Sequence, residues 1–551
     1  MLNPKISQAV AAVLALGAAA GAHALDISTI PASSTIYVSG STAIDPALIA
    51  YLVNSTNLIC DATQGAIDFY QGTAVAGGKF LAVACAAGSG ITGVTAGTPI
   101  AILKEDNAGS NNGILPVNTP TTNFVSYPVV SQLNATNCPA GATTTPFGEQ
   151  TQTAHVCTGY GTVTSTASSG PYSNLGFADV EAGIFGENPT NTNSISTVDV
   201  PFGIAVSLGL YHALQSAQGL AQDDNVTDMP DLNRAQVGAI LNGQLSSWTK
   251  VVGTNGAVSS QAVVFGNSHL VGGLHSCYDG TAFSTAADCQ GGTNAPTAVL
   301  PSSSTIFVCE RGQSSGTQQT AQIFYANEGC AGGVKQFTAP SKPGGTCAAS
   351  GCGWVTTTYQ SSAVFAGNGT GDDLSCLEAH DGLGNLAIGY AGTDAAWGTD
   401  ATNTDRTDWR FVKINGVVPS IENAAAGKYL YWAQSAGYYP NSTSAANYPA
   451  AGTVAAALEA YFTAPATQIG AAAVPAIDHA LQRTAPAFDG GVLAIPGNGG
   501  ATPNASAATV STFRGNPVNS YLKENPSNNC QQAYLAPNAP DSSASPAWAT
   551  P

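Results

Sequence analysis

The stretch Cys309-Glu310-Arg311-Gly312-Gln313-Ser314-Ser315-Gly316-Thr317 decides the reading of this chain. It follows a short apolar run, Thr305-Ile306-Phe307-Val308, and leads into a segment with helical character, Gln318 to Phe324. A helix start leaves backbone N–H groups without intrahelical partners, and these point at whatever lies over the terminus. Small residues let a tetrahedral oxyanion approach those groups, and helix N-termini favour negative charge. Arg311 adds a fork of donors able to hold two oxygens together. Alone, such a segment is more often an ordinary capped helix. Its weight comes from the rest of the chain.

Three further loops share the same small, hydroxyl-rich character. Ser34 to Ser39 reads as a strand running into Gly40-Ser41-Thr42, and Pro46 to Val53 then opens a helix with proline in its first turn. Asn107 to Gly113 forms a second loop, and Gly176-Phe177-Ala178-Asp179 a third. Strand, small-residue loop and helix is the α/β geometry that presents backbone N–H groups to a ligand. Pro201 to Leu208 reads as a buried strand crossing into another domain. Met229 to Trp248 reads as a helix capped by Asp231 and ended by Gly243, with Trp248 packing back on it.

The chain of 551 residues starts with one charged residue, Lys5, before an alanine-rich apolar core from Ala9 to Ala22. Ala22-His23-Ala24 then supplies an A-x-A-like cleavage site, the pattern of an export signal. The run is too short and alanine-rich for a membrane anchor, and no cysteine follows the site for lipid attachment. The expected mature chain starts near Leu25 and is periplasmic or secreted. All 12 cysteines fall after that point, an even count that favours disulfides over metal ligands in an exported protein. Cys60/Cys85, Cys138/Cys157, Cys277/Cys289 and Cys347/Cys352 are near neighbours that could pair, although spacing does not fix connectivity. No metal-ligand spacing and no cofactor motif is present. Formal net charge is −18, which argues against nucleic acid or an anionic membrane as partner. A buried small-anion site is compatible with it, because distant charges are screened beyond ~10 Å.

The order of the four loops resembles the periplasmic phosphate-binding proteins that feed bacterial ABC phosphate importers. Leu232 to Trp248 looks like that family's second-domain helix, and Ala387-Ile388-Gly389-Tyr390 like its return strand. The resemblance runs in patches from about Thr35 to Trp432. It implies an α/β, two-lobed type II periplasmic solute-binding fold with hinge crossovers and, in this chain, disulfide-stapled insertions. The implied division is 1–24 leader, 25–197 first part of lobe I with an insertion at about 116–172, 198–389 lobe II with an insertion at about 267–304, and 390–551 return to lobe I plus a C-terminal extension.

Carried over residue by residue, the resemblance implies phosphate binding by Thr42, the backbone of Ala43, Ser110, Asp179, Arg311, Ser315, Gly316 and Thr317. Here Ala43 replaces the family's aromatic residue, and Asn111 and Asn112 replace small residues. Asp179 carries the sharpest chemistry, since a carboxylate beside a dianion repels it unless it accepts a hydrogen bond. Phosphate at neutral pH has a proton to give and sulfate does not, so Asp179 would select phosphate. The implied partner is an inner-membrane ABC permease, and no catalysis is required. A different class remains open: a secreted or surface-exposed structural or adhesive protein with the same fold. Gly312-Gln313-Ser314-Ser315-Gly316 also fits the Gly-x-Ser-x-Gly nucleophile pattern, with His380 and His479 downstream as bases for a hydrolase.

Overall fold

The structure, a computed structural model, describes residues 25–53, 59–72, 79–105, 109–144, 150–221, 226–245, 247–253, 305–326, 364–367, 369–382, 385–395, 409–463 and 489–494, together with short strand pairs between these and several residues from 519 to 535. The expected leader, the pairings Cys277/Cys289 and Cys347/Cys352, and His479 lie outside the described residues. So does most of 267–304.

A mixed sheet of 14 strands organises the chain. In chain order its strands are β1 Thr35–Gly40, β2 Ile67–Gly72, β3 Phe80–Ala86, β4 Pro99–Glu105, β5 Ala140–Thr144, β6 Gln152–Cys157, β7 Leu175–Ala178, β8 Thr192–Ser207, β9 Phe307–Arg311, β10 Val364–Gly367, β11 Ala387–Gly392, β12 Trp409–Phe411, β13 Trp432–Pro440 and β14 Leu493–Ala494. Across the sheet the order is β10-β9-β11-β8-β13-β7-β1-β4-β3-β2-β6-β5, with β12 and β14 also pairing β8. Its principal helices are α1 Asp45–Val53, α2 Leu208–Gln218, α3 Arg234–Leu241, α4 Gly316–Ala326, α5 Thr370–Gly382 and α6 Val454–Thr463. No helix among the described residues is long and apolar enough to cross a membrane.

Strand β8 joins the two halves. Its first part, Thr192 to Pro201, pairs antiparallel with β13, and Phe202 to Val206 pairs antiparallel with β11. The crossing expected at Pro201 is therefore the centre of one long strand. On one side, β1 lies parallel to β4 and β7; on the other, β9 lies parallel to β10 and β11. Parallel strands are covered on both faces and read as near-continuous apolar runs. Ile36, Val38, Ile100, Ile102, Phe307 and Val308 are all buried accordingly.

Because β1, β4 and β7 are mutually parallel, their carboxyl ends open on one edge, where ligands bind in such sheets. Three glycines bring the following segments into backbone contact. Gly40 has φ 108, a region that disfavours side-chain-bearing residues, and a Cβ there would lie 2.6 Å from Gly113 Cα. Added Cβ atoms on Gly113 and Gly176 would overlap the carbonyl oxygens of Phe177 and Gly113 respectively. The short side chains in these loops follow from that approach.

Several expectations gain detail or change. Residues 116–172 are stapled by Cys138–Cys157 as expected, but they also supply β5 and β6, which extend the sheet past β2. Cys60–Cys85 is the other near-neighbour pair found, while Cys309–Cys376 joins cysteines 67 apart that spacing did not suggest. Helix α3 is capped by Asn233 rather than Asp231, because Asn233 and Gln236 satisfy each other's backbone N–H in a capping box. Asp231 instead accepts from Gly416 N–H at 2.7 Å. Trp248 is fully buried and donates from Nε1 to Leu386 O at 3.0 Å, which bears out core packing.

Gly113→Ala should destabilise the protein by about 2–4 kcal/mol, since the added methyl meets backbone that cannot rotate away. Denaturant titration checks this; an unchanged midpoint would show that the three backbones do not touch.

Candidate functional site

The site is assembled at the ends of β1, β4, β7, β9 and β10. After β1, Ser41 N–H donates to Phe177 O at 2.8 Å, which ties the first loop to β7. Ser41 Oγ accepts from Ala43 N–H at 3.1 Å and donates to Asp179 Oδ1. A short 3₁₀ turn, Thr42–Ile44, thus starts from a serine cap. Thr42 and Ala43 are both half-buried in that turn, and the Ala43 N–H is engaged by Ser41. The side chain that reaches the site centre from this loop is Ser41, one residue before the predicted Thr42.

Ser110 is the meeting point. Its Oγ accepts from Asp179 N–H at 3.1 Å and from Gly316 N–H at 3.1 Å. Gly316 belongs to the other half of the sheet, so one hydroxyl is bonded from both sides of β8. A serine oxygen has two lone pairs, and with both occupied its remaining capacity is as a donor. Asn111 N–H donates to Ser314 O at 3.1 Å and adds a second link across the halves. A Cβ on Gly316 would lie 2.6 Å from Asp179 Cβ, so only glycine fits there without displacing the carboxylate.

Asp179 is 2% exposed. Burial pushes its carboxyl above the usual range, while the Ser41 hydrogen bond, the Arg311 charge, Ser110 and Lys104 pull the other way. Lys104, fully buried at the end of β4, pairs with Asp45 at 2.8 Å and lies 3.4 Å from Gly40 O. It places a positive charge beneath the first loop.

Arg311 ends β9 and is 4% exposed. Its N–H donates to Gln318 Oε1 at 3.0 Å, an atom that also accepts from the Tyr390 hydroxyl. Its Nη1 donates to Thr370 Oγ1 at 2.9 Å at the start of α5. Asp373, fully buried in the first turn of α5, is held well above the usual carboxyl range by burial, with Arg311 opposing. The Cys309–Cys376 bridge ties β9 to α5 and so fixes the strand that carries Arg311 to the helix that receives it. Ser315 Oγ lies 3.4 Å from Gln318 N–H at the start of α4, and Thr317 is buried in that first turn.

Of the predicted residues, Ser110, Asp179 and Gly316 are in direct contact, and the Arg311 charge acts on Asp179. Thr42, Ala43, Ser315 and Thr317 lie on the turns that frame them. Sequence reading did not select Ser41, Lys104, Gln318, Thr370 or Asp373. A lysine closing the apolar strand Ile100-Ala101-Ile102-Leu103 was the available signal for Lys104, and a hydroxyl before a helix start that for Ser41. The hydrolase arrangement finds no support among the described residues. Ser314 is exposed, whereas His380 packs on Phe307, with ring centroids 4.4 Å apart, at the opposite end of β9.

Comparison with known proteins yields distant structural likeness. No family model matches the chain, and no curated protein matches it significantly. A solved structure assigned as a phosphate ABC transporter substrate-binding protein with bound phosphate, from Clostridium perfringens, is 13% identical, with a TM-score of 0.31 over 75% of this chain and 89% of its own. An ABC-type phosphate transport receptor from Vibrio cholerae is 10% identical, with a TM-score of 0.25 over 49% of this chain and 69% of its own. PstS from Borrelia burgdorferi is 10% identical, with a TM-score of 0.28 over 74% and 87%. Likeness at this level carries no argument about the site, whose reading rests on its own geometry.

The buried acids set a pH dependence. Burial pushes Asp394 up to about 7 and Glu459 up to about 8, and raises Glu378 and Asp381 as well. Burial lowers His380 to about 4 and Lys523 to about 8, and these two bases oppose the acids at the lower and upper ends of the window. Acids raised above their unfolded values of ~4 hold protons that the unfolded chain has lost, so stability falls as pH rises through the interval. The denaturation midpoint should be higher at pH 5 than at pH 8; a midpoint that rises over this range would contradict the burial of these carboxyls.

Proposed function

We propose that this chain is an exported, two-lobed solute-binding protein that captures inorganic phosphate and hands it to an ABC permease. Lobe I would comprise residues 25–197 and 390–551, lobe II residues 198–389, with β8 as a crossing between them. The observation that supports this reading is the convergence on Ser110 Oγ of backbone N–H groups from Asp179 and Gly316, one from each half. The Asp179 segment and the start of α4 meet at that hydroxyl, and the Arg311 charge acts on the Asp179 carboxyl.

The ligand would exchange internal hydrogen bonds for its own. Gly316 N–H would turn from Ser110 Oγ to a phosphate oxygen, and the hydroxyls of Ser41, Ser110, Ser315 and Thr317 would donate to others. Arg311 would grip two oxygens, and the turn carrying Thr42 and Ala43 would close the first side. Asp179 would accept the phosphate proton through its carboxylate, which the Ser41 and Ser110 hydroxyls would release as they turn to the ligand. Lobe separation and closure would be a hinge motion about β8. For Asp179 to work as an acceptor it must be ionised in the complex, and Arg311 and Lys104 favour that form against its burial.

Calorimetric titration of the oxidised protein, first stripped of bound anion, tests the proposal. Phosphate should bind in the micromolar range or tighter, with sulfate at least a hundredfold weaker. Asp179→Asn should narrow that ratio by losing phosphate affinity and gaining sulfate, and Arg311→Met should weaken both anions. Folded protein that gives no heat with phosphate would sink the transport reading and favour a surface scaffold.

A further inference from the structure

Leu25 is held by an arrangement that the anion site does not use. Its backbone nitrogen lies 2.6 Å from Asp68 Oδ2, and its carbonyl accepts from the Tyr70 hydroxyl at 3.0 Å. Asp68 is fully buried on β2. Its other oxygen, Oδ1, lies 2.8 Å from His155 Nε2 on β6, while His155 Nδ1 faces Cys138 O at 3.0 Å. Tyr70 stacks on the His155 ring with centroids 4.4 Å apart, and Cys138 is bridged to Cys157, two residues beyond His155 on β6. Ile27 and Ile30, just beyond, are buried with Tyr70 in a satellite apolar cluster on this face of the sheet.

Most peptide N–H groups are satisfied by backbone carbonyls, which carry no charge to desolvate. A buried carboxylate is an expensive partner for it and a matched partner for a cation. The residue so held is the one that follows Ala22-His23-Ala24. We infer that Asp68 is the receptor for the α-ammonium group of Leu25, created when the leader is cut after Ala24. Cleavage converts a peptide N–H into a charged group with two more donors, and the buried ion pair then locks the processed N-terminus onto the β2–β6 pair. An uncut chain keeps the amide contact and lacks the charge. The inference rests on the export reading and is independent of phosphate.

Two oxidised chains decide it, one beginning at Leu25 and one retaining Ala22-His23-Ala24 ahead of it. Both have the Leu25 nitrogen and every pocket side chain; the charge at that nitrogen differs. The Leu25 chain should melt about 2–5 °C higher at pH 7. The titratable groups facing this nitrogen are Asp68, Tyr70 and His155, with Asp26 beside it in the chain, and burial raises the Tyr70 hydroxyl out of range. Pairing with a carboxylate raises an amine above its unfolded value of ~8, so its stabilisation is complete below that pH and is lost as pH rises through the folded value. The difference between the chains should therefore vanish by about pH 10–11. Asp68→Asn should remove it at pH 7; if that variant does not fold, the pH series on the unsubstituted chains is the deciding result. Equal midpoints at pH 7, or a difference that persists at pH 11, would overturn the proposal. So would an exported protein whose intact mass places its first residue elsewhere than Leu25, an outcome that leaves the phosphate titration untouched.

Discussion

Strand β8 sets the geometry on which everything else depends. Over 16 residues it pairs with four other strands, β11, β12, β13 and β14. One segment therefore fixes the register of both halves, and a slip of one residue would exchange every buried side chain along it for its neighbour. The slip is opposed at its weakest point. The ladder with β13 is irregular between Ser196 and Asp199, and there β14 pairs with Val198 and Asp199. Asn519 donates to the buried Asp199 carboxylate at 2.7 Å.

This gives the C-terminal extension a structural role that its Asn-, Ala- and Pro-rich composition concealed. Lys523 donates to Trp432 O at 2.6 Å and lies 4.5 Å over that indole, and burial lowers it to about 8 despite the Asp199 charge. Asn529 gives its backbone N–H and its side-chain amide to Glu181, at 2.9 and 2.8 Å. Glu181 is two residues beyond Asp179. The extension therefore reaches the crossing strand and the acid loop together, and holds from behind the segment that presents Asp179. In a chain with 15 basic residues, placing one of them, Lys523, here against β13 rather than on the surface marks how much the crossing needs.

Sequence reading succeeded where a single local rule governs. Apolar runs such as Ile36 to Val38 and Ala387 to Tyr390 became strands, Pro46 sits in the first turn of α1, and the segments carrying Ser110 and Asp179 follow strands. It failed where the deciding partner is distant in sequence. Asn233 outcompeted Asp231 as a cap because Gln236 could answer it. Cys309 found Cys376 because α5 packs along β9, a relation no spacing encodes. Sequence did not show that Phe177 O would bind Ser41 N–H, with the Ser41 hydroxyl turned toward Asp179. Lys104 was visible as a charge closing an apolar strand, but its use required Asp45 to arrive from α1.

The anion reading and the acidic surface are reconciled by where charge is placed rather than by its sum. At a separation of more than ~10 Å in physiological salt, surface carboxylates are largely screened. Inside the site the balance is local: Arg311 and Lys104 stand against Asp179 and Asp373, with backbone N–H groups and hydroxyls adding oriented dipoles. The loops after β1, β4 and β7 are held in place by backbone contact through Gly40, Gly113 and Gly176. Under the proposed function, preorganisation of that kind would favour a small anion over water, and the buried carboxylate would decide which anion. A proton donor would relieve it, while an anion without a proton would meet an uncompensated charge.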